Sequence, residues 1–388
     1  MSALPAWARW NPVGASAPWT VGVEEEVMLL DPHGWELASR SDEVLAALSP
    51  DLLGRACAET HGSALELATE PQRDVSAAAA QLIRLRSGLA AGMEPLGLRA
   101  AVAGTHPFTR WEDIEVSPGA RYQFLYSALR ELARREPTFG LHVHVAVPDP
   151  ESAVRALNRI RAHLPVLLAL SGNSPFWQGR DTGLASVRTP LFQVFPRVGI
   201  PRRFRDYADY VEAVDMLLRC DAFPEPTFLW WDVRLQPRFG TLEVRIMDAQ
   251  TRVADTVALT ALVQCLVHLE VHEGHASFTL VDNAEVLEEN RFLAARDGVH
   301  GALIDPVAER RLPVRAWLEE LLDACAPHAA ALGCGAELDT VSALADTPGA
   351  TRQRARAGRG GAPQLGRLMR ALHADFTSTC SEPAAVPA

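Results

Sequence analysis

Residues 241–248 read TLEVRIMD, a run that sets Leu242, Val244 and Ile246 on one face and Glu243 and Arg245 on the other. A period of two is that of a strand with one side against a core. A carboxylate and a guanidinium in such a place must be paired, ligated or solvated, because an isolated buried charge is costly. The same grammar returns four times. TVGVEEEVMLL (20–30) opposes Val21, Val23 and Val27 to Glu24 and Glu26, with Glu25 pointing the other way. SALELATE (63–70) opposes Leu65 and Leu67 to Glu66, and GLHVHV (140–145) opposes Leu141, Val143 and Val145 to His142 and His144. FLWWDVRLQP (228–237) carries Asp232 and Arg234. Brought into one sheet, these five faces converge on a single charged basin.

Taken singly, each strand also matches the wet face of an antiparallel sheet, and Glu243 with Arg245 also fits a structural ion pair. The His-Val-His run fits the zinc pair of a metal-dependent hydrolase as well, although that reading needs further imidazoles, and His268, His272 and His275 fall in helical contexts. Repetition over five strands favours the joint reading. Clustered carboxylates take up protons unless cations neutralise them. Hard divalent ions, Mg2+ or Mn2+, suit oxygen ligands with an occasional imidazole, and arginines complement a polyphosphate through bidentate contacts. The combination points to chemistry on a nucleoside triphosphate.

Composition narrows the field further. A chain of 388 residues with 48% hydrophobic content can bury a large core. Its net charge of -11 argues against a nucleic-acid partner. The sequence contains no lysine, so all 37 basic residues are arginines. That excludes a Walker phosphate loop, a Schiff-base enzyme and a lysyl-adenylate ligase. The six cysteines lack CxxC spacing and read as buried thiols. Without an apolar leader or a run of about 18 apolar residues, the chain is expected to be cytoplasmic, with no membrane partner.

Patterning places helices near 41–49, from 74 to 93, and over 119–135, 150–170 and 204–220. It continues helical from 254 almost to the end. A loop over 171–203 is expected to be ordered and to hold substrate through Arg180 and Arg188. The stretch 228–248 reads as an antiparallel hairpin, and the basic, Gly-rich segment 347–363 as a mobile surface connection. With no repeat and no linker, residues 1–388 read as one α+β domain with a mostly antiparallel sheet and helices on its other face.

Seven motifs carry a resemblance: GVEEE (22–26), GTHPF (104–108), GLHVHV (140–145), SGNSPFWQGRDTGLASVR (171–188), WWDVR (230–234), GTLEVRIMD (240–248) and NRFLAARDG (290–298). Together they resemble the carboxylate–amine ligases, also called glutamate–cysteine ligase type 2 proteins, over a core of about 19–355 with a helical C-terminal end at 356–388. The resemblance implies a glutamine-synthetase-like curved sheet, helices on its convex face, and ATP with Mg2+ or Mn2+ on its concave face. It implies metal ligands at Glu24, Glu26, Glu59, Glu66, His142 and Glu243. It places Arg234 and Arg245, with His144, against the nucleotide, makes Glu243, Arg234 and Arg245 catalytic, and assigns Arg180, Arg188 and His142 to the amino-acid substrate. The expected reaction joins a carboxylate, that of a glutamate side chain, to an amine through an acyl phosphate. Expected partners are small amino-acid and amine substrates and a second copy of the chain. A zinc hydrolase built on the His-Val-His pair and a catalytically silent nucleotide- or metabolite-binding paralogue remain the rival readings. Departures from the family pattern at Phe139, Ala146 and TEPQRD (69–74) leave the amino-acid substrate open.

Overall fold

The computed structural model describes residues 4–135, 137–358 and 361–378. Seven strands make the main sheet: β1 (Val21–Leu30), β2 (Ala56–Ala58), β3 (Ala64–Ala68), β4 (Arg99–Ala101), β5 (Gly140–Ala146), β6 (Val233–Gln236) and β7 (Thr241–Asp248). Their order is β6-β7-β5-β1-β3-β2, with β4 pairing the end of β1, and every pairing is antiparallel. All five expected strands therefore belong to one open sheet.

Alternation decides which way that sheet faces. Val21, Val23, Leu141, Val143, Val145, Leu242 and Val244 are all fully or almost fully buried in the main apolar cluster. The helices that cover them include α1 (Val75–Met93) and, after α2 (Ala120–Leu129), the long α3 (Val253–His272) and α4 (Val314–Leu332). Asp74 caps α1 by accepting from the Ala77 amide at 2.7 Å. The buried stripe Ala78, Leu82, Leu85 and Leu89 follows the spacing of one helical face. By length and composition α3 would pass for a membrane span, but 83% of its most apolar window is buried inside the protein. It is the core helix of the fold.

Glu25, the one glutamate of the triplet that points into this layer, is completely buried with Arg86 of α1. Arg86 Nε donates to Glu25 Oε1 at 2.8 Å, and its two terminal nitrogens reach the Thr251 and Gln250 carbonyls. A charge pair at this depth survives because its donors are satisfied.

Several expectations are corrected. The helix over 119–135 breaks at Arg130, whose φ is 56°, and resumes at Leu132. The helix over 150–170 is two, Pro150–Ile160 and Leu164–Ser171, because Pro165 tolerates only a first-turn position. A hairpin, Ala302–Asp305 with Arg310–Pro313, lies where helix was read. The segment read as mobile holds a helix, Gly349–Ala357. It grips the 171–203 loop: Ala350 N donates to Gly172 O at 2.9 Å and Gln353 Nε2 to Asn173 O at 2.7 Å. Residues 359–360 of that segment lie outside the described residues. Cys265, Cys325 and Cys334 are buried thiols as read, whereas Cys57 and Cys220 are exposed; Cys380 lies outside the described residues.

Replacing Arg86 with Ala leaves Glu25 charged and unpaired under the sheet. Urea unfolding of R86A is expected to show a loss of about 3–5 kcal/mol. A loss below 1 kcal/mol would mean that the pair does not hold β1 to α1.

Candidate active site

Strand register brings the polar side chains together before any side-chain rotamer is considered. Glu24 lies opposite His142, Glu26 opposite Glu66, His144 opposite Glu243, and Glu243 opposite Arg234. His142 Nδ1 is 3.2 Å from Glu24 Oε2 and 3.9 Å from Glu66 Oε2, and its Nε2 is 4.0 Å from Glu26 Oε1. His144 Nε2 is 3.2 Å from Glu24 Oε1 and 3.9 Å from Glu243 Oε1. Two triads share His142: Glu24, His142 and Glu243, and Glu26, Glu66 and His142, each with ligand atoms within 4.8 Å of one another.

Those triads suit a divalent ion. His142 Nε2 and His144 Nε2 are buried and make no hydrogen bond, and a buried unpaired polar atom costs about 1–3 kcal/mol unless a ligand satisfies it. The structure thus brings Glu24, Glu26, Glu66, His142 and Glu243 together. Glu59, just past β2, lines the same cavity but stands outside both triads.

Charge separates these carboxyls into two kinds. Burial alone would raise Glu24, but the His144 and His142 imidazoles outweigh it and hold the carboxyl well below the usual range. Glu243 is completely buried, yet Arg234 and Arg245 keep it well below that range too. Arg234 Nε donates to Glu243 Oε2 at 2.6 Å, Gln236 Nε2 donates at 2.8 Å, and Arg245 NH1 closes on Oε1. Burial and Glu26 push Glu59 up to about 7, and burial with Glu24, Glu59 and Glu26 pushes Glu66 well up. Burial lowers His142, with Arg245 adding to it, whereas Glu24 and Glu243 overcome burial and raise His144.

A bulge in β7 explains what the alternation of TLEVRIMD could not. Val244 pairs with Val143, but Met247 pairs with Leu141, so Arg245 and Ile246 together oppose His142. The slip turns Asp248 onto the polar face, where it is completely buried and anchors the loop over 171–203. It accepts from Asn173 N at 2.8 Å, Ser174 Oγ at 2.6 Å and Ser186 Oγ at 2.8 Å.

That loop delivers Arg188 to the basin and leaves Arg180 outside it. Arg188 is buried, donates to Ile246 O at 3.1 Å, and has an Nε with no partner. It crosses β5 at Gly140, where a Cβ would sit 2.4 Å from its NH2, so a larger residue there would displace the guanidinium. Arg180 is exposed on the ribbon of Phe176–Trp177 with Arg180–Asp181, away from the cavity lining, and is withdrawn as a substrate contact. Asp232, expected on the basin face, is engaged by Arg291 Nε at 2.6 Å. Sequence reasoning missed Arg291, Asp248, Gln236 and Tyr122; only the motif NRFLAARDG carried a signal for the first. The histidines that a zinc hydrolase needs, His268 and His272, lie on α3 in the helical layer.

The cavity over these residues measures about 450 Å³. Carboxylates and imidazoles floor it, arginines line one side, and Tyr122, Phe192, Phe195 and Trp230 supply an aromatic wall.

An open antiparallel sheet with this acidic face agrees with the fold that the resemblance to carboxylate–amine ligases implied. The chain belongs to glutamate–cysteine ligase family 2, whose profile matches residues 20–371. Two relatives from Rubrobacter xylanophilus, provisionally named glutamate–cysteine ligases 2-1 and 2-3, are 40% and 41% identical over 337 and 350 residues. The first alignment covers 87% of this chain and 89% of the relative, the second 90% and 95%. In fold, the chain is similar to a Francisella tularensis glutamate–cysteine ligase solved with AMP, at TM-score 0.68 and 13% identity, covering 95% of this chain and 90% of that one. A Pasteurella multocida bifunctional glutathione synthetase superposes at TM-score 0.69 and 15% identity, over 95% of this chain and 54% of that one. The protein is therefore a ligase-family member with that family's fold.

Glu59 and Glu66 bind protons more tightly folded than unfolded, so from pH 4.5 towards 7 their ionisation removes stability. The raised His144 acts in the same direction as pH climbs through its folded value. The buried His61, His106 and His142, held neutral by burial, gain stability over part of the same interval, so the discriminating quantity is the rise in melting temperature on adding Mg2+, which is expected to grow between pH 5.5 and 8 because the ligands must be deprotonated. An Mg2+ increment no larger at pH 8 would contradict the assignment.

Proposed function

We propose that the protein is an ATP-dependent ligase that joins a carboxylate, that of a glutamate side chain, to an amine through an acyl phosphate. The observation that carries this reading is the adjacency of two carboxylate–imidazole triads to Arg234 and Arg245, with the unpaired, buried Arg188 in the same cavity. The family and the AMP complex of the Francisella tularensis enzyme support nucleotide use. Mg2+ or Mn2+ held by Glu24, Glu26, Glu66, His142 and Glu243 would neutralise polyphosphate charge and polarise the transferred phosphoryl group.

The chain's own side chains do the rest. Glu243 fixes the guanidinium planes of Arg234 and Arg245 so that both can meet phosphate oxygens without reorganising. Arg188 holds the donor by a carboxylate. A donor carboxylate oxygen attacks the γ-phosphorus, the bond to the β-phosphate oxygen breaks, and ADP leaves. The amine then attacks the acyl carbon, and phosphate departs with the bond electrons. No protein nucleophile is required, which fits a cavity whose one cysteine, Cys57, has its thiol raised by burial and by Glu66.

The test is phosphate release from Mg-ATP with glutamate and pooled amines. One positive pool is expected; ATP binding without turnover on any pool would favour a silent paralogue, and turnover of a hydrolase substrate without ATP a zinc enzyme. Glu243→Gln is expected to lower kcat by about 100- to 1000-fold with an unchanged circular dichroism spectrum. Arg188→Met is expected to raise KM for the donor carboxylate about 10- to 100-fold while leaving KM for ATP within twofold. Equal effects on both would remove Arg188 from donor binding.

A further inference from the structure

Away from the basin, the helical layer gathers three imidazoles that the ligase chemistry does not use. His268 and His272 stand one turn apart on the last turns of α3, the spacing that puts two side chains on the same helical face. Their ring centroids are 4.2 Å apart, and Trp19 lies against both, at 4.7 Å and 5.4 Å. His328, from the facing helix α4, enters the group with its Nδ1 2.7 Å from His268 Nδ1. Two ring nitrogens aimed at each other at that distance share one proton between them or give their lone pairs to a common acceptor.

Three further features favour the second arrangement. His328 is only 5% exposed, and its Nε2 makes no hydrogen bond of normal geometry, although Glu273 Oε1 lies 3.0 Å away. A carboxylate behind one nitrogen of an imidazole whose other nitrogen faces inward is the arrangement that orients a metal-bound histidine. His268 is half-buried, so its ring stays within reach of an ion from solvent. His272 is exposed, and since the ligand atoms of the three rings do not all lie within 4.8 Å of one another, it is the side chain that must turn to join the other two. Zinc–nitrogen bonds of about 2.0–2.1 Å at tetrahedral angles place ligand nitrogens a little over 3 Å apart, a small opening from the present separation.

We propose that His268, His272 and His328 form a binding site for a borderline transition-metal ion, Zn2+ foremost, with Glu273 orienting His328 and water completing the shell. Nitrogen donors set this site apart from the oxygen-rich basin, which suits harder ions. Its ion would tie α3 to α4 beside Trp19. Trp19 N donates to Ala146 O at 2.9 Å, and Gln264 Nε2 of α3 donates to Trp19 O at 2.7 Å, immediately before β1 carries Glu24 and Glu26 into the basin. The site is a brace for the entry to that strand. It does not depend on the ligase reading.

The test titrates the full chain with Zn2+ against a chromophoric chelator, in excess Mg2+ to occupy the basin. The wild-type chain is expected to bind one Zn2+ under these conditions and to melt at a higher temperature with it. His268→Asn and His328→Asn are each expected to weaken Zn2+ at least about tenfold, and Glu273→Gln to weaken it by roughly tenfold. Should the buried variants fail to fold, the exposed His272→Ala must still weaken Zn2+ and abolish the Zn2+-dependent rise in melting temperature. Co2+ in place of Zn2+ is expected to give the intense visible absorption of a tetrahedral nitrogen-ligated ion. Failure of the wild-type chain to bind Zn2+ in excess Mg2+, or binding unchanged in the histidine variants, overturns the proposal.

Discussion

Glu26 and Glu66 stand directly opposite each other across β1 and β3, and the repulsion between them is the constraint that the rest of the site answers. Like charges at opposed positions destabilise an antiparallel pair, and burial, Glu24 and Glu59 raise Glu66 even more than Glu26 does. The protein meets this in three ways. Imidazoles from β5 are set between the carboxyls, arginines from β6 and β7 are set at one end, and the remaining repulsion, with burial, raises the proton affinity of Glu59 and Glu66. Each device is one that a divalent ion can replace. An ion can stand where the crowded carboxyls repel one another, and the buried Nε2 atoms of His142 and His144 make no hydrogen bond that it would have to break. The same electrostatic stress that weakens the sheet without cations is therefore what gives it affinity for them.

Such a face needs a rigid back, and the glutamate triplet supplies it from one strand. Glu24 and Glu26 look into the cavity while Glu25 is driven into the helical layer, where Arg86 holds it. A hydrophobic residue at 25 would pack there as well or better on general grounds, since buried ion pairs rarely outperform apolar isosteres. What the pair adds is register. Sliding β1 by one residue would expose Glu25 and bury Glu24 and Glu26 without partners. Arg86 also reaches the Gln250 and Thr251 carbonyls just beyond β7, so one guanidinium fixes two strands that contribute to the basin.

Alternation made the five-strand basin legible because a period of two is a property of the backbone, insensitive to what lies across the sheet. The same rule failed where the backbone departs from it. The bulge at Arg245 and Ile246 shifts the phase of β7, so Asp248 reads as a core-facing residue in TLEVRIMD and is in fact the anchor of the loop. Arg180 and Arg188 look equivalent in a loop; only the contact of Arg188 with the bulged strand tells them apart. The basic segment 349–357 reads as mobile because its helix is held by contacts to Gly172 and Asn173, far away in sequence. Glu59 has no alternating neighbours to mark it, and only the family resemblance put it at the cavity, where it lies outside both triads.

The departures from the family pattern bear on specificity less than their positions in motifs suggest. Phe139 is completely buried in the second apolar cluster, among residues such as Phe176 and Ala249, and Ala146 is buried at the end of β5. In the segment 69–74, Glu70 is exposed and paired with Arg55, and Asp74 serves as the cap of α1. None of these side chains lines the cavity. The groups that do line it include Tyr122, whose hydroxyl is held by the Ala58 carbonyl, and the aromatic cluster of Phe192, Phe195 and Trp230, and on the proposed function these are the side chains an amine would meet. Those rings sit on α2, on the loop that Asp248 anchors and, for Trp230, on a short strand paired with Val198–Gly199, all outside the main sheet. The sheet can thus keep its charge arrangement fixed while the wall that meets the amine varies.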